Sequence, residues 1–156
     1  MVSRLTRDQA RRIAEAVPDP ELPVLTLGDL GIIRDVASSG AGVEVTITPT
    51  YSGCPAMNTM GTDITLALAE AGFGPVRIKT TLSPAWTTDW ISAEGRAKLQ
   101  AFGIAPPGPR GSDTPVACPL CGSTNTREIS YFGSTACKAL WRCLVCREPF
   151  DLFKCH

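Results

Sequence analysis

The stretch that decides the fold of the last quarter of the chain is CPLCGSTNTREISYFGSTACKALWRCLVC, residues 118–146. It begins and ends with a Cys-x-x-Cys pair, and the four cysteines are Cys118, Cys121, Cys143 and Cys146. Two such pairs at this separation are typical of a site in which four thiolates bind one Zn²⁺ ion. A two-residue gap lets one tight turn aim both sulfurs inward, and Gly122 tolerates the positive φ that such a turn favours.

The segments between and after the two pairs have the composition of β-strands. They are TREISYF, KALWR and PFDLFK, and they predict a small β-rich zinc ribbon over residues 117–156. A module of about 40 residues buries little apolar surface, so a bound metal would supply the missing stability. Two alternatives stay open for the four cysteines: an iron–sulfur cluster, because ligand type alone does not separate the metals, and free thiols.

Three other residues of the ribbon are potential metal ligands. Cys137 and Cys155 lie outside the two pairs, either as small buried hydrophobic residues or as a second thiolate site. His156 is the single histidine and the final residue, where a solvated terminus is the simpler interpretation. With one histidine there, a Ser/His/Asp or Cys/His relay in the rest of the chain is almost excluded.

A proline- and glycine-rich stretch, GIAPPGPRGSDTPV, precedes the ribbon. It predicts an extended linker over residues 104–116. The chain is therefore expected to consist of a first domain (residues 1–103), this linker and the ribbon.

The first domain has a mixed pattern that predicts the order α-β-β-α-β-α, an α+β fold of helices on a small sheet. Thr6 and Gln9 form a capping-box signature for the first helix, with Leu5, Ile13 and Val17 on its apolar side. Two strands follow in GIIRDVA and GVEVTITPT, the second with period-2 alternation. A helix over residues 55–71, a strand in VRIKTTL and a helix capped by Ser92 complete the order.

Cys54 lies where the second strand hands over to the second helix. Pro55 suits a first helical position, so Cys54 is expected to be the N-cap. The positive end of the helix dipole would then lower the pKa of its thiol and make it a nucleophile or a ligand for a soft metal. A buried cysteine without such a role is the alternative. Asp29, in LGDLGI, is either a polar group of an active site or a turn-former before Leu30 and Gly31.

Composition excludes several classes of function. Lys plus Arg and Asp plus Glu both count 15, so the net charge is zero and binding to nucleic acid is not expected. No apolar run is long enough for a membrane span, and the charged N-terminus, MVSRLTRDQARR, does not resemble a secretory signal. We expect a cytoplasmic protein, in which the seven cysteines are thiols or metal ligands rather than disulfides.

The first domain resembles the iron–sulfur assembly domain family of cytosolic cluster-targeting factors and bacterial cluster-maturation proteins. Three segments carry the resemblance, which covers residues 5–105: DPELPVLTLGDLGIIRDV, VTITPTYSGCPAM and SPAWTTDWISAEGRAKLQAFGI. The tail, residues 118–156, is similar to that of the D-subunit family of the bacterial phenylacetyl-CoA ring epoxidase. The FGST-CKA segment, both cysteine pairs and the terminal FDLFKC coincide in order and position.

The resemblance implies an accessory role in phenylacetate degradation, without oxygenation by this chain. Its partners would be the diiron oxygenase and especially the iron–sulfur reductase of the epoxidase. Cys54 matches the family cysteine that would ligate a labile cluster or iron ion, and Asp29 matches the acid beside it. One cysteine cannot hold a cluster alone, so a homodimer or a partner's thiols would complete the site. An integral or electron-transfer subunit is the competing interpretation, and an enzyme with Cys54 as nucleophile is a third.

Overall fold

A computed structural model of the chain describes residues 6–39, 41–50, 56–108 and 113–154. The chain divides into two compact units, Met1–Trp86 and Thr87–His156. In the part of the chain that is described, no helix combines the length and apolar character needed to cross a membrane.

Unit 1 is a three-stranded sheet with two helices. Its elements are α1 (Arg7–Glu15), β1 (Ile33–Ser39), β2 (Gly42–Ile47), α2 (Met57–Glu70) and β3 (Val76–Thr80). The strand order is β1-β2-β3, with β1 antiparallel and β3 parallel to the central β2. A parallel neighbour needs a crossover connection, and α2 provides it between β2 and β3.

The capping box predicted for α1 is confirmed. The Gln9 N–H donates to the Thr6 hydroxyl at 3.2 Å, and the Thr6 N–H donates to Gln9 Oε1 at 2.8 Å. The buried side of the helix is centred on Ala10 and Ala14, whereas the predicted Ile13 is half-buried and Leu5 lies outside the described residues. Alanine is a weak apolar marker in a sequence pattern, although its small side chain lets helix and sheet backbones approach closely.

Alternation in β2 builds the core of unit 1. Val43, Val45 and Ile47 are buried while the residues between them are half-buried, as the period-2 pattern predicts. The buried side chains of α2 are Met60, Ile64 and Leu68, spaced at helical intervals. These two apolar faces lie on the two elements that flank residues 48–56.

The predicted N-cap of α2 is wrong. The helix begins at Met57, and its N-cap is Ala56, which makes no side-chain cap. Cys54 and Pro55, for which the sequence predicts the N-cap and the first helical position, lie outside the described residues. The error has a local cause: Pro and a preceding polar residue are good start signals, but two or three neighbouring positions fit them equally well.

Unit 2 contains one turn of 3₁₀ helix (Thr88–Trp90), a helix and a second sheet. The helix is α3 (Ala93–Ala101), and the strands are β4 (Ile104–Ala105), β5 (Thr126–Ser130), β6 (Lys138–Cys143) and β7 (Pro149–Phe153). The strand order is β4-β7-β6-β5, in which the short β4 is parallel to β7 and the other pairs are antiparallel. The predicted α-β-β-α-β-α order followed by a β-rich ribbon is confirmed, and Ser92 caps α3 as expected.

The contact boundary between the units falls earlier than the boundary that we predict at residue 103. Arg96 on α3 explains part of this, because its guanidinium donates to the carbonyls of Thr88 and Pro107 and so ties the 3₁₀ turn, α3 and the proline-rich stretch together. The first residues of the predicted linker, Ile104 and Ala105, pair with β7. The domain bounds at 103 and 117 stay predictions, since a boundary in sequence pattern and one in contacts need not coincide.

Candidate functional site

Four thiols converge at one end of the sheet in unit 2. They belong to Cys118, Cys121, Cys143 and Cys146, and their sulfurs all lie within 4.8 Å of one another. The Sγ atoms of Cys118 and Cys146 are 3.8 Å apart, and those of Cys121 and Cys143 are 3.5 Å apart. In the described residues no disulfide joins any of them, so the four could hold one metal ion.

The distances between the sulfurs differ between a site for a single metal ion and a site for a [4Fe–4S] cluster. Four thiolates at about 2.3 Å from a single ion in a tetrahedron have sulfur–sulfur distances of about 3.8 Å. In a [4Fe–4S] cluster each thiolate binds a different iron atom, so its sulfurs lie farther apart. The distances of 3.5 and 3.8 Å, with all four sulfurs within 4.8 Å of one another, fit a single ion.

Two matching turns bring the sulfurs together. In the first, Gly122 has φ +80° and its N–H donates to the Cys118 carbonyl at 2.8 Å. In the second, Arg147 occupies the equivalent position after the cysteine pair with φ +66°. A non-glycine residue in this region is strained, which indicates that the surrounding contacts hold the second turn in place.

Backbone N–H groups point at the buried sulfurs. Cys143 Sγ accepts from the N–H groups of Val145 and Cys146, both at 3.4 Å, and Cys118 Sγ accepts from the Leu120 N–H at 3.4 Å. Burial raises the pKa of the Cys143 thiol, but the N–H donors, together with the neighbouring thiols, lower it to about 6. For Cys146 the Glu148 N–H lowers the pKa, whereas burial and the adjacent sulfurs raise it to about 12. Close thiols resist successive ionisation unless a cation compensates their charge.

Cys137 does not belong to the four-thiol group in the described part of the chain. It is buried, as the first of its two interpretations predicts, and its sulfur lies 2.9 Å from the Thr135 hydroxyl. Cys155 and His156 fall outside the described residues.

Unit 1 brings together three segments around the end of β2. The Thr48 N–H donates to the Ile32 carbonyl at 3.0 Å, which places the strand end beside the turn that contains Asp29. The Trp86 indole donates to the Leu30 carbonyl of that turn at 2.7 Å. We call Thr48, the turn with Asp29 and Trp86 the frame of unit 1. Cys54 follows Thr48 by six residues in the sequence and lies outside the described residues.

Asp29 is buried, with 7% exposure. Its Oδ2 accepts from the Thr26 N–H at 3.0 Å, while the Thr26 hydroxyl accepts from the Asp29 N–H at 3.1 Å. This reciprocal pair is the arrangement of a capping box. The carboxylate thus shapes the turn by bonding backward to Thr26, and its role toward a cargo stays a prediction.

Two polar residues near this frame carry little signal in the sequence. Asp19 is buried and accepts from the N–H groups of Glu21 at 2.9 Å and Leu22 at 2.7 Å, so the DPELP segment is more than a helix stop. Thr48 is 1% exposed, and its hydroxyl has no hydrogen-bond partner in the described structure. The sequence pattern of a strand does not show whether a threonine hydroxyl will be buried without a hydrogen-bond partner, because its neighbours come from segments far away in the chain.

Comparison with known proteins assigns both halves of the chain. The family model for the iron-sulfur cluster assembly protein matches residues 7–79, and the model for the PaaD zinc beta ribbon domain matches residues 105–154. Over 143 residues the chain is 50% identical to the D subunit of the putative 1,2-phenylacetyl-CoA epoxidase of Escherichia coli (strain K12), and the match covers 89% of this chain and 87% of that protein. The chain belongs to the D-subunit family of the phenylacetyl-CoA epoxidase.

Other relatives match 60–64% of this chain and 90–98% of their own length. An Fe-S protein maturation auxiliary factor of Porphyromonas gingivalis is 34% identical over 96 residues, which is 60% of this chain and 90% of that protein. A conserved hypothetical protein from Thermotoga maritima superposes with a TM-score of 0.53 at 28% identity, covering 64% of this chain and 98% of the other. The DUF59 domain of unknown function from Bacillus anthracis, at 24% identity, shows the same fold with a TM-score of 0.56 over 60% and 90% of the two chains.

Proposed function

We propose that this protein is an accessory maturation factor of the phenylacetyl-CoA epoxidase, acting in the cytoplasm. It would assist delivery of an iron–sulfur cluster or iron to the reductase or oxygenase component and would not carry out the oxygenation. The observation that supports this most is the Thr48 hydroxyl, which is buried and has no hydrogen-bond partner among the described residues, in a residue that precedes Cys54 by six positions in the sequence.

In this proposal Cys54 is the ligand to the iron of the cargo. A single thiolate cannot retain a cluster that needs four, so the remaining ligands come from the client or a second copy of the chain. Weak retention of the cluster or iron suits delivery, because a thiolate of the client can replace the single Cys54 ligand without a high barrier. Asp29 and Thr48 would orient this segment: Asp29 fixes the turn beside it, and the Thr48 hydroxyl can donate to a sulfur or to a bound anion.

We assign Zn²⁺ to the four-cysteine site as a resident structural ion. Cys118, Cys121, Cys143 and Cys146 would hold it, and a tetrahedral thiolate set without an open position supplies folding stability rather than chemistry. The small core beside it supports this role, since its buried members are Ala105, Cys118, Cys143 and Phe150.

The test is anaerobic delivery of a cluster or iron to the apo reductase by wild-type protein and by Cys54→Ala. We expect the variant to lose most of the delivery rate while it keeps the metal of the ribbon and the far-UV circular dichroism of the wild type. Delivery by Cys54→Ala at the wild-type rate would reject the proposal.

An integral electron-transfer subunit is the second candidate. The four sulfurs are close enough to share one iron ion, which can change oxidation state, whereas zinc cannot. Elemental analysis of protein purified without oxygen separates the two. A colourless protein with one zinc per chain removes the electron carrier, and one iron per chain with visible absorbance supports it.

A further inference from the structure

The outer edge of the sheet in unit 1 is formed by β3, which pairs with no further strand among the described residues. We propose that β3 and the groove beside it bind an extended peptide segment of a client protein, in which apolar residues alternate with acidic ones. This inference deepens the proposed function, on which it rests, by naming the partner chemistry. It is carried by three observations: an unpaired strand edge, an uncharged groove along it, and unbalanced positive charge on its other side.

The first observation is the open edge of β3. It is the last strand in the order β1-β2-β3. At its two ends, the Pro75 carbonyl accepts from the Val43 N–H and the Thr81 N–H donates to the Ile47 carbonyl, both at 2.9 Å. Because the bonding residues of a parallel ladder alternate, the N–H and C=O groups at positions 76, 78 and 80 point away from β2. They are available to an added strand, the mode of recognition called β-augmentation.

The second observation is a groove of about 570 Å³ between β3 and α2. No charged side chain lines it, and its walls include Ile78 on the strand and Leu66, which is 56% exposed, on the helix. Thr62 and Thr65 also line it, but their hydroxyls donate to the carbonyls of Asn58 and Gly61 at 2.9 and 2.8 Å. With those donors occupied, the two threonines add apolar methyl surface.

The third observation is the charge on the opposite side of the strand. Side chains alternate along β3, so Arg77 and Lys79 lie on the face away from the groove, and both are exposed. Arg77 forms only a long ion pair with Glu44, in which Arg77 Nε and Glu44 Oε2 are 3.9 Å apart. Lys79 forms no ion pair with any carboxylate of the described chain. A strand added to this edge would place every second side chain beside these cations, where acidic residues are favoured.

Charged residues on an edge strand also protect sheets against unwanted pairing. That role alone does not explain an apolar groove next to the edge. The groove also reaches Met57 and Asn58 at the start of α2, directly after the segment that carries Cys54. A client strand bound here would therefore pass the start of α2, which follows Cys54 by three residues in the sequence.

The experiment uses the full-length protein and a short fluorescein-labelled peptide in which valine and glutamate alternate. Binding is measured by fluorescence anisotropy at low salt, against a peptide with lysine in place of glutamate. We expect saturable binding of the acidic peptide alone. Lys79→Glu should weaken it at least about tenfold, since one favourable charge contact becomes a repulsive one. Arg12→Glu is the matched control, because Arg12 is exposed on α1 and does not line the groove.

Gly61→Ala provides a second variant that cannot be mistaken for unfolding. A Cβ at position 61 would meet Ile78 side-chain atoms at 3.7 Å, an ordinary contact that fills part of the groove. Alanine is also a better helix former than glycine. Peptide affinity should therefore fall while the melting temperature rises.

Absence of saturable binding, or binding that Lys79→Glu and Gly61→Ala leave unchanged, would overturn the proposal. The charges on β3 would then serve only to prevent unwanted pairing of the edge strand. The outcome is separable from the delivery function. Cys54→Ala should bind the peptide as the wild type does, and a failed peptide assay does not alter cluster delivery measured with the intact reductase.

Discussion

At the scale of single residues, a substitution at Thr48 is expected to affect the stability of the protein and the delivery of its cargo in opposite directions. A buried hydroxyl without a partner costs free energy, and Thr48 Oγ1 is in that state in the described structure. Asp29 and Trp86 differ from it, because the hydrogen bonds of both support the adjacent turn. Because Thr48 carries this cost and precedes Cys54 by six residues in the sequence, it is a good candidate for a group that acts on the cargo.

We predict that Thr48→Val leaves the free energy of unfolding unchanged or raises it by about 1 kcal/mol, because the unsatisfied hydroxyl is removed. Delivery of iron or cluster should fall about tenfold or more, the value of one hydrogen bond to a charged group. Urea denaturation and the anaerobic delivery assay measure the two effects. Thr46→Val is the control, because Thr46 lies two residues earlier, in β2, and is half-buried rather than buried. A loss of stability with full delivery would show that Thr48 is structural.

At the scale of elements, the register of unit 1 depends on a close approach at the start of β2. Gly42 has φ +131°, and a Cβ there would lie 2.2 Å from the Pro75 carbonyl oxygen. That same oxygen accepts the Val43 N–H. The absence of a side chain at Gly42 therefore permits the bond that begins the β2–β3 ladder, and with it the alignment of the edge and groove described above.

We expect Gly42→Ala to destabilise unit 1 by about 3 kcal/mol, combining a forced contact with an unfavourable backbone conformation. Gly74→Ala is the matched control, since nothing lies within 4 Å of its Cβ position and its φ is not in the left-handed region. There we expect the free energy of unfolding to rise by about 0.5 kcal/mol, because alanine lowers the conformational entropy of the unfolded chain. Urea titration followed by circular dichroism decides between them. Equal effects of the two substitutions would contradict the role of the close approach.

At the scale of the whole molecule, the two units differ in how they are stabilised. Unit 1 has a continuous apolar core between a sheet and two helices, built on residues such as Val45, Ile64 and Leu68. The ribbon part of unit 2 has a much smaller core around Cys118 and Cys143, which are themselves thiols of the metal site. Its folding should therefore depend on the metal, whereas that of unit 1 should not.

Removal of the metal with a chelator should increase amide hydrogen exchange across residues 116–153 by at least about a hundredfold, given the size of structural zinc-binding free energies. Exchange in residues 7–80 should stay as it was. Acid should act in the same direction, because protons compete with the metal for the thiolates. Mass spectrometry of peptic fragments resolves the two regions, and equal protection before and after chelation would show that the ribbon folds without metal.

The local features of the chain could be predicted from the sequence. The capping box of α1, the buried alternation of β2 and the four cysteines that meet in the ribbon all follow from neighbours within a few residues or from a fixed spacing. The predicted start of α2 is wrong by two residues, because the signals for a helix start are short and overlap. The α+β order and the β-rich ribbon are also confirmed. Both follow from the predicted helices and strands, and hydrophobic periodicity predicts those because it reflects which side chains are buried.

What only the tertiary structure decided are the relations between segments far apart in the chain. No single segment carries a marker for the parallel pairing of β4 with β7 or for the bonds from Arg96 to the carbonyls of Thr88 and Pro107. The same is true of the bonds that Thr48 and Trp86 donate to the carbonyls of Ile32 and Leu30. The same holds for the open edge of β3 and its groove. Local pattern specifies which face of an element is buried, but which faces and ends meet depends on the packing of the whole unit, and that is where the sites of this protein are formed.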